Sequence, residues 1–184
     1  QRDRARLEND IAKEKLNDPY MSIDAFLAAH KVKPDALEVL DALYVLYRET
    51  RQGQRAAESL EKMLATEALK GDAQRNKRVW FALGEICRDE LREYDRAEQG
   101  FNAALDADYR FVEAFSALEA MLGQQRQWQR LEENYARMIQ RFPKGPETHV
   151  ARMTIWKALG DLYLKVLKKP EAACEVYKVV AQGL

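Results

Sequence analysis

The sequence predicts an all-α fold, a solenoid of antiparallel helix pairs, on three observations. No segment alternates apolar and polar residues as a half-buried strand would. The eight glycines and five prolines fall between apolar-periodic stretches, where turns belong. Finally, VWFALGEIC (79–87) and TIWKALGDLY (154–163) share Trp, two residues, Leu, Gly, with Trp80 and Trp156 seventy-six positions apart.

The neighbours of those tryptophans recur as well. One template places apolar residues at offsets 0, 4, 7 and 8, on one helical stripe. It reads Ala56, Leu60, Met63, Leu64; Ala97, Phe101, Ala104, Leu105; Leu131, Tyr135, Met138, Ile139; and Ala173, Tyr177, Val180, Ala181. A weaker copy is Ser22, Phe26, Ala29, His30. The helices before them carry offsets 0, 3, 4 and 7: Leu40, Leu43, Tyr44, Tyr47; Trp80, Leu83, Gly84, Cys87; Phe115, Leu118, Glu119, Leu122; and Trp156, Leu159, Gly160, Tyr163. The step between templates is sixteen positions from Leu40 to Ala56 and from Phe115 to Leu131, and seventeen from Trp80 to Ala97 and from Trp156 to Ala173. Four helix pairs follow, with a degraded fifth before them. A single pair cannot cover its own apolar face, so recurrence at this period means stacking. The tryptophans are expected between helices, and Gly84 and Gly160 opposite the small Ala97 and Ala173.

Trp-x-x-Leu-Gly followed by Ala97 and Phe101, and Trp156 to Tyr163 followed by Ala173 and Tyr177, resemble the tetratricopeptide repeat. Phe115, Leu118, Tyr135 and Pro143 match the same pattern. The resemblance covers residues 35–184 well and 3–34 poorly. It departs at Tyr44 and Glu119, where the family prefers a small residue, and at Leu131, where it prefers alanine. It implies a right-handed α-α superhelix. Residues 1–184 are expected to form one repeat domain of units 3–34 (degenerate), 35–70, 71–110, 111–144 and 145–184.

Second helices start at Ser22, Ala56, Ala97, Leu131 and Ala173. The successive intervals are thirty-four, forty-one, thirty-four and forty-two positions, so short and long units alternate. The extra length falls in 71–79 and 145–155, each opening with a glycine suited to ending the previous helix. Asp72 suits a helix cap and Pro146 a first-turn position. These stretches are expected to lengthen the first helix by nearly two turns, about 10 Å.

Composition narrows the function. Thirty basic and thirty acidic residues leave no net field, which excludes a general nucleic-acid binder. The longest uncharged runs, such as Ala42 to Tyr47, fall far short of the roughly 20 apolar residues of a membrane span. Cys87 and Cys174 lie at apolar helical positions without CxxC spacing and are expected as buried free thiols. The chain starts at Gln1 and stops in VAQGL, as a segment of a longer repeat protein would. A soluble, cytoplasmic setting is the expectation.

Nothing in the sequence forms a catalytic constellation or a cofactor or metal motif. His30 is expected to close an apolar stripe at a helix end, and His149 to sit on a solvated first turn. The adjacent carboxylates Asp89 and Glu90, or Glu132 and Glu133, diverge on a helix. Lys70, Arg75, Lys77 and Arg78 form a basic cluster that reads as charged surface.

In tetratricopeptide arrays the first helix of each pair lines the concave side, which implies a peptide or partner helix held in that groove. The inward positions here are Asp41, Val45, Arg48; Phe81, Glu85, Arg88; Glu113, Ser116, Ala120; and Lys157, Asp161, Lys165. Their mixed charge suits a partner of alternating charge. Phe81 is either an apolar anchor or a packing residue. Ala82 and Glu85 stand where a carboxylate-clamping member carries Asn, which argues against a chaperone-tail adaptor. The expectation is thus a protein-binding scaffold, monomeric or weakly self-associating, with a structural spacer or self-association module as its rival.

Overall fold

A computed structural model describes residues 18–182, and among these there is no strand. The part of the degenerate first unit before residue 18 lies outside them. The chain divides into two compact units, at Asp108 and Tyr109.

In the first unit, α1 (Pro19–Val32) starts at Asp18, whose carboxylate accepts the Tyr20 amide at 2.9 Å, with Pro19 in the first turn. Then come α2 (Leu37–Glu49), α3 (Gly53–Ala65), a single turn α4 (Glu67–Lys70), α5 (Ala73–Ile86) and α6 (Tyr94–Ala107). Between α5 and α6 the helix continues through a π-helical turn, Cys87–Leu91. Asp72 caps α5 by accepting the Arg75 amide at 2.9 Å, so 73–79 is helix, as the long spacing predicts. Successive helices pack in order, α1 on α2, α2 on α3, α3 on α5 and α5 on α6.

The second unit repeats the plan with α7 (Val112–Gln124), α8 (Trp128–Arg141), α9 (Pro146–Asp161), a second π-helical turn (Leu162–Val166) and α10 (Pro170–Gln182). Helix α9 packs on both α8 and α10. Pro146 sits in its first turn.

The two apolar templates make the cores. Leu40, Leu43, Leu60, Met63, Phe101 and Leu105 are buried in the first unit, and Leu118, Leu122, Leu131 and Tyr135 in the second. Each large side chain so buried contributes roughly 1.5–3 kcal/mol. Buried Asn102 and Asn134 each donate to a carbonyl one turn back, those of Glu98 and Arg130.

All four hairpin turns close alike. Arg51, Arg92, Arg126 and Lys168 stand at φ 55°, 61°, 56° and 55°, the left-handed region usually left to glycine. The next amide reaches back into the helix: Gln52 to the Tyr47 carbonyl (2.7 Å) and Gln127 to Leu122 (2.9 Å), five residues behind. Glu93 reaches Cys87 (2.8 Å) and Lys169 reaches Tyr163 (2.9 Å), six behind. The extra residue falls in the two hairpins with the longer step between templates, where the π-helical turn takes it up. A cation at the helix C-terminus also favours the macrodipole, which offsets part of the roughly 1–2 kcal/mol cost of the left-handed backbone.

Three expectations need correction, those for Gly160, Gly145 and Cys174. Gly84 does stand opposite Ala97, whose carbonyl oxygen a Cβ would meet at 3.2 Å, with two Phe101 ring carbons closer still at 2.7 Å; Gly160 faces the Tyr177 ring instead of Ala173, a Cβ there lying 2.8 Å from Tyr177 Cε1. Gly145 precedes α9 as its cap, because α8 already ends at Arg141 and the chain runs extended through Phe142. Gly71 does end the helical turn before it as its C-cap, in right-handed backbone. Cys87 is buried, yet Cys174 is exposed, one position round α10 from the buried Ala173.

Helices α5 and α6 meet at backbone distance. A Cβ on Gly100 would lie 2.9 Å from Gly84 Cα and N, and 3.0 Å from the Trp80 carbonyl oxygen. Gly123 has no such neighbour, its nearest atom being a Trp128 ring carbon at 4.0 Å. Gly100→Ala is therefore expected to cost about 1–3 kcal/mol in denaturant unfolding. Gly123→Ala should add roughly 0.5–1 kcal/mol through helix propensity. Equal effects would show that α5 and α6 do not touch at Gly100.

Candidate functional site

On α2 the side chains Asp41, Val45 and Arg48 follow one another along a single stripe, and all three are exposed. Leu40, Leu43 and Tyr47 fill the opposite stripe and hold the helix in the core. Val45 stands between two adjoining hollows. One, of about 410 Å³, is floored by Phe26, Ala42, Val45 and Leu46, with Glu38, Asp41 and Arg75 at its edge. The other, of about 360 Å³, lies among Tyr44, Val45, Arg48 and Glu49. An exposed valine beside apolar floors and charged edges is a place where a partner's apolar side chain gains burial.

Helix α5 and its π-helical turn flank this stripe. Arg75 reaches Asp41 (3.9 Å), and Arg48 reaches Glu90 (4.0 Å). Arg48 also donates to the Tyr44 hydroxyl at 3.2 Å. That bond, with smaller help from Glu90 and Glu85, raises its pKa above the ordinary guanidinium range. Arg88 donates twice to Asp89, at 2.7 and 2.8 Å, and lies over the Phe101 ring, 5.5 Å from its centre. Those bonds hold the Asp89 carboxyl below its usual range. Arg48, Glu85 and Arg88 thus belong to one charged network. Phe81 is half-buried, with its ring centre 5.7 Å from that of Phe101.

In the second unit Glu113, Ser116 and Ala120 are exposed along α7. Lys157 and Lys165 are exposed around half-buried Asp161, and Lys165 donates to it at 2.9 Å. The Asp161 pKa is lowered, first by the Tyr177 hydroxyl and then by Lys165. The predicted inward residues therefore form a cluster on α2 and α5 and another on α9, while those of α7 stand apart on their own helix.

Sequence reasoning missed Phe26 and Ser22, which reach the larger hollow from α1, and the partners Arg75 and Glu90. Only tertiary packing brings these to α2. It also treated Glu119 as a departure from pattern. The structure explains it: the Tyr135 hydroxyl donates to Glu119 on the facing helix, as Tyr177 does to Asp161. Where the second helix carries tyrosine, the first carries a carboxylate to receive it. A third such bond joins Tyr163 to Glu132 at 2.7 Å.

The basic cluster disperses into pairs, Lys70 with Glu67 (2.6 Å), Arg75 with Asp41, and Lys77 with Asp108 (2.6 Å). Arg78 is exposed. Among the described residues no group of three or more His, Cys, Asp or Glu is placed to hold a metal ion. No described helix is long and apolar enough to cross a membrane.

The architecture defines the class, an all-α solenoid of stacked helix pairs with a tetratricopeptide-like fold. No family model matches the chain, and no curated protein sequence does. Solved structures do. The crystal structure of MamA superposes with a TM-score of 0.54 at 18% identity, covering 94% of this chain and 92% of that one. A second crystal structure of MamA protein gives 0.54 at 18% identity, covering 95% and 88%. The MamA RS-1 ArsTM double mutant gives 0.53 at 15%, covering 98% and 94%. At these identities the likeness is one of fold.

The tyrosine–carboxylate bonds carry a pH signature. Burial first, and then Glu132, pushes Tyr163 up to about 12; burial and Glu119 raise Tyr135 further. Both folded values exceed the ordinary value of about 10, so their stabilisation is full below about pH 10 and lost as pH rises through the folded values. In a 295 nm titration, these two of the eight tyrosines should ionise last, together with alkaline unfolding. Tyr135→Phe should remove one late equivalent. Ionisation of all tyrosines in a single step near pH 10 would contradict the bonds.

Proposed function

We propose that the chain is a protein-interaction scaffold that holds a peptide or partner helix along the stripe formed by Asp41, Val45 and Arg48. Phe81, Glu85 and Arg88 form the adjoining wall, and Glu113, Ser116, Lys157, Asp161 and Lys165 offer further positions in the second unit. The carrying observation is Val45, an apolar side chain 46% exposed between two hollows. The tetratricopeptide-like fold and the resemblance in Trp-x-x-Leu-Gly support the reading, which is non-catalytic. Acidic Glu38 and Asp41 at one end and basic Arg48 at the other favour a partner whose charge changes sign along its length.

A second reading, a spacer or self-association module, is favoured by where other apolar groups are exposed. Tyr20, Met21 and Val32 lie on α1, Val112 at the start of α7, and Val150, Leu164 and Val166 on α9 and its π-helical turn. Light scattering of the purified chain separates the two: dimers or larger species at micromolar concentration support self-association, and a monomer supports the scaffold.

The groove is tested with Val45→Asp. Because Val45 is exposed, its melting temperature should stay within about 1–2 °C of wild type, in keeping with a surface change within about 0.5 kcal/mol. Partner capture from native extract should fall about tenfold, equal to roughly 1.4 kcal/mol. Unaltered capture by a folded variant would remove α2 from the site.

A further inference from the structure

A separate cavity of about 250 Å³ opens on another side of the first unit, among α1, α2 and α3. Helix α1 is its least buried wall: Ile23 alone on that helix is buried, and Leu27 and His30 reach the chamber.

The chamber has an apolar floor and a polar mouth. Leu40, Leu43 and Tyr47 are buried and make the floor, with Leu27 beside them. Helix α3 supplies the mouth with Arg55, Glu58, Ser59 and Lys62, and α1 supplies His30. Two full cations face one carboxylate, and Glu58 is turned to the Gln54 amide, which donates to it at 3.2 Å. Arg55 spends one N–H on Gln52 at 2.8 Å and keeps the rest of its donors. His30 Nδ1 is shut off from solvent and has no hydrogen-bond partner. Buried polar atoms are rarely left so. Lys62 and Arg55 offer N–H donors at this mouth, the imidazole nitrogen can donate in one of its two tautomers, and the floor below is hydrocarbon.

We propose that this chamber is a binding site for a small carboxylic acid with a short apolar tail. The carboxylate lies at Lys62 and Arg55 beside the His30 ring, and the tail lies over Leu27 and the edge of the Tyr47 ring. The volume equals about eight waters at about 30 Å³ each, so it admits a ligand of about that many non-hydrogen atoms. The site shares no residue with the Val45 stripe and does not depend on the scaffold reading.

Hexanoate is the probe, added to the full chain while amide and imidazole NMR shifts are followed. Saturable shifts at Ser59, Lys62 and the His30 ring are expected, with a Kd of about 1 mM or tighter for so small a ligand. Hexanol, hexylamine and acetate, each lacking the charge, its sign or the tail, should bind at least roughly tenfold more weakly. Arg55→Gln with Lys62→Gln changes two exposed residues, and should weaken hexanoate about tenfold without altering the melting temperature. The proposal is overturned if hexanoate does not saturate, if hexanol or hexylamine binds as tightly, or if the double variant keeps the wild-type Kd.

Discussion

Every feature of this chain depends on the register in which the two helices of a hairpin face each other. A helix turns about 100° per residue, so one residue more or less between the stripes would rotate one apolar face away from its partner. Hairpins α2–α3 and α7–α8 have the shorter step between templates, Leu40 to Ala56 and Phe115 to Leu131, and their turns close five residues back. Hairpins α5–α6 and α9–α10 have a step one position longer and close six residues back, through a π-helical turn. The extra residue is absorbed within the helix instead of being passed on to the packing. Gly84, Phe101 and Gly100 therefore still meet, as do Gly160 and Tyr177.

That register decides which side chains are left over. With Leu40, Leu43 and Tyr47 committed to the core, Asp41, Val45 and Arg48 face outward, where α5 brings Arg75 and the π-helical turn after it brings the Glu90 carboxylate. Tyrosine–carboxylate bonds cross both hairpins of the second unit, Tyr135 to Glu119 and Tyr177 to Asp161, with the carboxylate one template position later in the hairpin that has the longer step. Glu119 and Asp161 are held by the hairpin, not by solvent.

The helices, their pairing and the long first helices were legible because apolar spacing and cap residues such as Asp72 and Pro146 report local structure directly. The π-helical turns were present in the sequence only as one extra position in two of the four steps between templates, a trace that does not say how the chain takes up the residue. Spacing marks Gly84 as a place of close approach to Ala97, but it does not show that the Phe101 ring comes closer still. The apolar neighbours of Cys174 favour a buried position, yet one step round α10 separates it from buried Ala173 and leaves it exposed. Of the site, the α2 stripe was readable from its own helix. Phe26, Arg75 and Glu90 were not, since their arrival depends on packing between helices distant in sequence.

The register account is tested most directly by deleting one residue from a long hairpin and one from a short hairpin, and comparing thermal unfolding and helix content. Deleting exposed Asp89 should convert the first π-helical turn to regular α-helix and leave the Gly84–Phe101 contact and cooperative unfolding in place. Deleting Ala120 has no such turn to draw on, and should rotate half of α7 out of the core and abolish cooperative unfolding of the second unit. Equal tolerance of both deletions, or equal collapse, would contradict the claim that the π-helical turns exist to keep the two stripes in register.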